Sequence, residues 1–233
     1  MKIFTFEQVT STQDLARNYL KQHLDKAAFV ANSQTNGYGK QGRSFYAPAN
    51  TGVYFSIAIP NFNLNPEKSE LLTPAIATAL VNTLNIFFPL ITLQLKWVND
   101  IYLNNKKVGG ILTEFSSKGL IIGIGINIST QSFPQELQSK AGSITKHEFN
   151  RIELIRSLID AANNAIITYD PGDFLPEYRR LSCTLNKKVT LKIGKKEIHG
   201  LAKDINNQGE LVVKSNGKLH SYSSGEVIKV ESK

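Results

Sequence analysis

The sequence predicts an α+β protein: a mixed β-sheet flanked by helices, followed by a small C-terminal β-barrel. Three observations carry this. Over residues 1–181, short apolar strands are interspersed with amphipathic helical segments and no internal repeat is evident. From residue 182 to 233 the texture changes to five short alternating strands separated by glycine- and asparagine-rich turns. A glycine-rich stretch, Gln34 to Arg43, is followed by Pro48 and Gly52 with no helical period, so it does not open a dinucleotide-binding βαβ unit. The domain boundary falls near Leu181–Asn186, giving units of 1–181 and 182–233.

In chain order, residues 2–6 alternate apolar and polar as a short strand. Thr10 to Asp14 reads as a helix start, with Ser11 or Thr12 able to cap exposed N–H groups and Asp14 in the first turn. Leu15, Ala16, Tyr19, Leu20 and Leu24 are its expected apolar face. Ser11 and Thr12 either cap only, or also offer hydroxyls to a polar ligand at the positive end of the helix. Ala27–Asn32 is a strand that delivers the glycine loop, and Gly52–Pro60 is a strand ended by Pro60. From Glu67 to Phe88, residues Leu71, Leu72, Ala75, Ile76, Ala79, Leu80 and Leu84 keep the helical period, and Pro74 either opens the helix or kinks it.

A strand from Leu93 then reaches the corner Trp97-Val98-Asn99-Asp100, and Asn104-Asn105 predicts a hairpin turn. The returning strand is interrupted by Gly109-Gly110, which signals a bulge or a ligand pressed on the backbone. Ile121–Ser129 alternates glycine with β-branched residues until Asn127, leaving one face nearly bare, to floor a pocket or to pack closely on a helix. Residues 130–150 are a polar loop. Arg151–Tyr169 is an amphipathic helix through Ile152, Ile155, Leu158, Ile159, Ala162 and Ile166; Pro171-Gly172 breaks it, and a shorter helix runs to about Leu181.

Composition narrows the function classes. An apolar content of 41% supports a real core. The net charge of +8 suits anionic partners, but the 27 Lys and Arg are spread along the chain without a block of five, and no nucleic-acid-binding motif appears. The single Cys183 excludes an intramolecular disulfide framework and a cysteine-rich metal site. The N-terminus has no apolar core of a signal peptide, and no run of 18 apolar residues occurs, so a soluble, cytoplasmic protein is expected.

The stretch Gln34-Thr-Asn-Gly-Tyr-Gly-Lys-Gln-Gly-Arg43 holds three glycines and two cations in ten residues. Glycine admits positive φ and close ligand approach. Exposed N–H groups in such a turn form an anion-binding concavity, to which Lys40 and Arg43 add charge. The stretch reads as a loop that wraps a phosphate or carboxylate, with an ordinary surface turn as the alternative. Lys107 lies beside the Gly109-Gly110 gap, with Trp97 and Asn99-Asp100 close by, and marks either a charged-ligand site or a hairpin with solvated lysines. No G-x-x-x-x-G-K-[ST] loop occurs.

Five stretches in order resemble the biotin protein ligase family, in the form without an N-terminal DNA-binding domain, and the resemblance spans essentially the whole chain. Ser11-Thr12-Gln13 stands where the family has Ser-Thr-Asn at a helix start, and Gln34 with Gly37–Phe45 where it has Gln and G-R-G-R-x-G-R-x-W. Lys96-Trp97-Val98-Asn99-Asp100 matches K-W-P-N-D, Lys107–Glu114 matches K-x-x-G-I-L-x-E, and Gly123–Asn127 matches G-x-G-x-N. The resemblance implies a class II synthetase-like catalytic domain with an SH3-like barrel. It implies a ligase that makes biotinyl-5′-AMP from biotin and ATP, then transfers biotin to a lysine of the biotin carboxyl carrier protein or domain of acetyl-CoA carboxylase or a related carboxylase.

By the same resemblance, Ser11, Thr12, Gln13, Gln34, Gly37, Tyr38, Gly39, Lys40, Lys107, Gly109 and Gly110 are expected around biotin. Lys40, Arg43, Phe45, Lys96, Asn99, Lys107 and Asn127 are expected around ATP and the adenylate. Lys107, Lys40 and Asp100 are the expected catalytic groups, with Mg2+ accompanying ATP near Asp100 and no fixed protein metal site. No specific DNA, no membrane and a monomer or homodimer are expected. Since the chain starts directly at the catalytic domain, repression of transcription is not. Four positions depart from the pattern: Tyr38 and Gln41 lower the charge of the loop, Phe45 replaces a Trp that would lie against adenine, and Val98 replaces Pro. A lipoate- or octanoate-transferring enzyme of the same broader fold is the rival enzyme, and a binding module using the C-terminal barrel the non-enzymatic one.

Overall fold

The computed structural model describes residues 1–231. The last two positions of the expected 182–233 unit lie outside the described residues. The body is a seven-stranded sheet of β1 (Lys2–Val9), β2 (Ala27–Gln34), β3 (Gly52–Pro60), β4 (Gln94–Lys96), β5 (Asp100–Leu103), β6 (Lys106–Ser116) and β7 (Gly119–Asn127), in spatial order β1-β2-β3-β7-β6-β5-β4. β1 runs parallel to β2 and every other pairing is antiparallel, so the sheet is mixed, as expected. The helices are α1 (Thr12–Tyr19), α2 (Ser69–Phe87), α3 (Arg151–Thr168) and α4 (Leu175–Leu181).

Residues opposite one another in a ladder share a face, and the two faces of this sheet have different fates. Val53, Phe55 and Ile57 of β3, with Ile122, Ile124 and Ile126 of β7, form the main core with α2 and α3. On the reverse face, Ala16 and Leu20 pack with Ala27, Phe29, Ala58 and Ile121. Because α1 has only eight residues, it covers one end of that face. The glycine-lined remainder, Gly123 and Gly125 of β7 with Gly110 of β6, is left for the glycine loop.

Several local expectations are settled here. Ser11 caps α1 by accepting from the Gln13 N–H at 3.2 Å, and the helix ends at Tyr19. Leu24 therefore falls outside its apolar face and is 81% exposed. Ile152, in the first turn of α3, points outward as well and is 67% exposed. Pro74 lies inside α2, buried, rather than opening it; a 3-10 turn at Pro66–Lys68, capped by Asn65, does that. This turn and α2, Pro66–Phe87, are long and apolar enough to cross a membrane, but Leu71, Ile76, Leu80 and Leu84 are buried in the core.

Asn104 and Asn105, both at positive φ, make the two-residue hairpin between β5 and β6. β6 is not interrupted at Gly109-Gly110. It pairs through both glycines with β7, and against β5 it carries the expected irregularity: Ile101 pairs with Gly109 and Tyr102 with Lys107, leaving Val108, beside the glycines, as the extra residue.

The C-terminal strands are β8 (Lys188–Ile193), β9 (Lys196–Ile205), β10 (Leu211–Ser215), β11 (Lys218–Tyr222) and β12 (Glu226–Val230), antiparallel in the order β11-β10-β9-β8-β12. The expected barrel is not closed: among the described residues no ladder joins β11 to β12. The apolar face of this sheet is buried against the body instead, since Ala202, Ile205, Leu211, Val213 and Val227 belong to the same core as α2 and β7. Polar bonds stitch the seam. The Trp97 indole N–H donates to Gly209 O at 3.1 Å, Arg179 Nε to Ile205 O at 2.6 Å, and Cys183 N to Leu95 O at 2.9 Å.

Candidate active site

The uncovered sheet face carries a buried polar row at the α1 end. Ser11, Thr12 and Gln13 are almost fully buried, held in the first turn of α1 against β3 and β7. Gln34 Oε1 accepts from the Thr12 N–H at 2.8 Å. The Thr12 hydroxyl lies 2.9 Å from the Ser56 hydroxyl, which donates to Gln13 Oε1 at 3.0 Å. Gln13 Nε2 in turn donates to Glu114 Oε2 at 2.8 Å. Gln34 Oε1 also accepts from the Thr12 hydroxyl at 3.1 Å, so the two hydroxyl hydrogens of Thr12 and Ser56 serve three contacts: to Gln34, to each other and to Gln13. Gly123 makes room for it, since a Cβ there would sit 2.4 Å from Gln13 Oε1.

The glycine loop closes over this face. Gly37 is buried against Gln34, and a Cβ at this position would lie 2.9 Å from Gln34 Nε2 and 3.0 Å from Phe45 O, so only glycine fits. Within the loop, Gly39 N–H donates to Arg43 O and Phe45 N–H to Gly37 O, both at 2.8 Å. The turn at Lys40–Gly42 places Gln41 and Gly42 at positive φ. The Phe45 ring lies on Gly125, whose absent Cβ would be 2.7 Å from the ring, and meets Tyr54 edge-on. The bare strand face takes the Gln13 side chain of α1 at Gly123, the close helix packing predicted, and an aromatic ring at Gly125. Tyr38 turns toward α1, where its hydroxyl donates to Asp14 and accepts from Arg17, each at 2.9 Å. Arg17 also reaches Glu114 Oε2 at 2.7 Å, and its pKa is held above the ordinary value by Tyr38 foremost, then by Glu114 and Asp14, against desolvation.

At the other end of the face, Lys107 Nζ meets Asp100 Oδ1 at 2.6 Å. Gly110 lies directly beneath, its missing Cβ 3.2 Å from both Lys107 Cε and Nζ. Gly109 serves a different purpose, close packing of β6 on β7, for a Cβ there would lie 2.9 Å from Gly125 O. Lys40 keeps its surface in solvent, yet surrounding chain removes enough water to lower its pKa, with Asp100, Glu70 and Glu226 opposing. Burial lowers Lys96 in the same way; its ammonium donates to Tyr102 Oη at 3.3 Å. Asn99 is tied to β6 through a side-chain N–H to Ile111 O at 2.9 Å. Asn127 shares the face of Gly123 and Gly125. It is 5% exposed and donates to Gly142 O, and its Oδ1 is buried with no partner among the described residues. A buried, unserved acceptor costs about 1–3 kcal/mol, so this oxygen is suited to a ligand donor.

Arg43, expected on phosphate, forms a two-pronged ion pair with Glu226 of β12, bringing the C-terminal sheet against the glycine loop. Sequence reasoning missed Glu226, Arg17 and Asp14, and gave no role to Ser56 or Glu114. Ser56 had a signal, as the one hydroxyl inside the buried run Val53–Ile59 apart from Tyr54. Contacts such as Arg17 to Glu114, 97 positions apart, had none.

The fold is a mixed sheet flanked by helices with an appended antiparallel sheet, and Lys40, Lys96 and Lys107 gather around Asp100 at one end of its glycine-lined face. The chain belongs to the biotin/lipoate A/B protein ligase family, whose model matches residues 5–130, more than half of its length. A model of the biotin protein ligase C terminal domain matches residues 184–230. The chain is 28% identical over 231 residues to the biotin--[acetyl-CoA-carboxylase] ligase of Mycobacterium tuberculosis, covering 94% of this chain and 85% of that protein. It is 27% identical over 212 residues to the bifunctional ligase/repressor BirA of Escherichia coli, covering 86% of this chain but 65% of that protein, less than two thirds of its length. The structure of the biotin protein ligase from Aquifex aeolicus in complex with biotin and ATP matches with a TM-score of 0.81 at 28% identity, covering 97% of each chain.

Proposed function

We propose that this chain is an ATP-dependent biotin protein ligase acting on a biotin carboxyl carrier protein or domain of acetyl-CoA carboxylase or a related carboxylase, with residues 1–181 as catalytic unit and 182–233 as the appended one. The observation that supports it most is the pairing, on one sheet face, of a buried row of neutral polar groups with the Lys107–Asp100 pair. A ureido ring presents one carbonyl and two N–H groups, and the row of Thr12, Ser56, Gln13 and Gln34 offers hydroxyl and amide partners of both kinds. A carboxylate tail leaving that ring would run along the glycine-lined face toward Lys107.

In the first step, a biotin carboxylate oxygen attacks the α-phosphorus of ATP. An O–P bond forms, the bond between the α-phosphorus and its bridging oxygen breaks, and pyrophosphate leaves. Two anions are brought together, so Lys107 and Lys40 offset the developing charge, and no protein nucleophile is needed. In the second, a carrier lysine, as neutral amine, attacks the acyl carbon. The C–N bond forms, the C–O bond to AMP breaks, and the surplus proton passes to solvent while Asp100 holds the amine. The loop from Gly37 to Arg43 keeps water from the mixed anhydride.

Among the described residues no cluster of three metal-ligating side chains exists. Mg2+ brought by ATP is commonly held by substrate phosphates and one or two carboxylates. Asp100 is the carboxylate that would hold it, and the ion would neutralise phosphate charge. Asn127 Oδ1 and Phe45 form the adenine side on this reading, and the activity is cytoplasmic. ATP–pyrophosphate exchange with biotin, lipoate or octanoate tests it. Exchange driven by biotin alone is expected; exchange driven by lipoate or octanoate would move the chain to the lipoate branch of the family, and none with any acid would refute an activating enzyme.

A further inference from the structure

The loop's departure from the family pattern at Tyr38 is answered by a residue on another element. A polar path leads from Tyr38 through Arg17 and Glu114 to Gln13: Tyr38 Oη accepts from Arg17 Nη2 at 2.9 Å, the same nitrogen donates to Glu114 Oε2 at 2.7 Å, and that oxygen accepts from Gln13 Nε2 at 2.8 Å. Gln13 is 3% exposed, so its amide has no solvent alternative to this arrangement. Arg17 lies one helical turn beyond Gln13 on α1, on the side that faces the loop, and Asp14 fixes its other nitrogen.

We propose that Arg17 is a positioning residue that couples closure of the glycine loop to recognition of the biotin ring. One face of its guanidinium holds the loop by Tyr38, and the same group fixes the Glu114 carboxylate that orients the Gln13 amide. This rests on the functional reading above. The chemistry explains why an arginine stands here. A planar guanidinium can donate to a phenol oxygen and two carboxylates at once, whereas an ammonium is a point charge that cannot span them with fixed geometry. Without Arg17, Glu114 would face the loop uncompensated and Gln13 would lose its fixed orientation. Arg17 is also already matched by Asp14 and Glu114, so it does not replace the missing loop cation as a phosphate ligand; its effect falls on the ring end of the pocket.

The test uses the full chain, with Arg17→Met, Arg17→Lys, Tyr38→Phe and the Arg17→Met/Tyr38→Phe double variant. Amide hydrogen exchange across residues 37–45, measured without any ligand, reads loop closure and is independent of what the enzyme turns over. Biotin-driven pyrophosphate exchange reads KM for biotin and for ATP separately. Loss of a charge-assisted bond is expected to raise KM for biotin roughly tenfold in Arg17→Met while KM for ATP stays within about twofold. Loop amides should exchange faster in both single variants, and the double variant should exchange no faster than Tyr38→Phe, which alone already removes the hydroxyl's bonds to both Arg17 and Asp14. Arg17→Lys should restore less than half of the loss in KM. Equal changes in both KM values, a fall in kcat alone, or additive loop exchange in the double variant would each overturn the proposal. A wild type whose loop exchange depends on Arg17 and Tyr38 as predicted, yet shows no biotin-driven turnover, would overturn the functional reading and the coupling to biotin with it, leaving only the contact.

Discussion

Replacing Gly123 with alanine tests ligand recognition in a protein that still folds. The new Cβ would stand 2.4 Å from Gln13 Oε1, and ordinary van der Waals contact begins at 3.4 Å, so the amide must retreat by about 1.0 Å. It cannot do so freely, because Ser56 holds Oε1 at 3.0 Å and Glu114 holds Nε2 at 2.8 Å. A displacement of that size carries at least one of these beyond hydrogen-bonding distance. Giving up the bond to the charged partner costs about 1.5–3 kcal/mol, a roughly ten- to hundredfold weakening of biotin binding if the pocket must be rebuilt for each binding event. The obstacle is a side-chain tip and not backbone, so the strand itself survives. Calorimetric titration of biotin alone, with a thermal melt beside it, should give a Kd raised by that factor in a protein that still melts cooperatively, its Tm lowered by roughly 3–12 °C as the same lost bond implies. An unchanged Kd in a folded Gly123→Ala protein would show that the Gln13 row does not bind the ligand.

In the companion variant Gly109→Ala the new Cβ meets backbone, Gly125 O at 2.9 Å, so overpacking of about 1–3 kcal/mol should lower Tm by roughly 2–12 °C, and an unchanged melt would contradict the packing. Lys107→Ala should reduce biotin-driven pyrophosphate exchange by at least about 10²-fold while circular dichroism stays native; normal exchange by the folded variant would remove Lys107 from the chemistry. Lys40 and Lys96 have folded-state pKa values below 10.5 through desolvation, so in the window between those lowered values and 10.5 the unfolded chain binds more protons. Stability contributed by these groups therefore rises with pH across that window, and binding of an anionic nucleotide should draw protons onto them. Calorimetry of ATP binding at alkaline pH in buffers of different ionisation enthalpy should report proton uptake; proton release would contradict their place at the phosphates.

Period and punctuation made most of the elements legible. Gly52–Pro60 was bounded to the residue, because Pro60 ends it by backbone chemistry alone. Leu24 and Ile152 were misplaced for one reason: a helical period records spacing and not where the chain leaves the helix or which turn lies against the sheet. The barrel remained open because sequence reports five strands but not what covers them, and here the cover is the body of the protein. Among the candidate site residues, Ser11, Gln34 and Lys107 could be named from sequence because they sit in local patterns. Glu226 and Arg17 were not, since each acts across a fold contact that joins distant parts of the chain.

On the proposed function, the pairing of Arg43 with Glu226 is compatible with a place for Arg43 at the phosphates, and the energetics say why. Both side chains remain substantially exposed, at 53% and 32%, and exposed ion pairs are typically worth about 0–1 kcal/mol. A hydrogen bond from a guanidinium to a phosphate oxygen is worth more, about 1.5–3 kcal/mol, so a nucleotide can draw Arg43 away at little cost. Glu226 is left near Lys96 and Lys107, which together with Arg43 lower its pKa, so the freed carboxylate is not stranded without compensation. Such an arrangement keeps the loop on the C-terminal sheet when no anion is present and yields it when one arrives. On the proposed function it would also make β12 part of the nucleotide end of the site, which a reading of residues 1–181 alone would place entirely on the seven-stranded sheet.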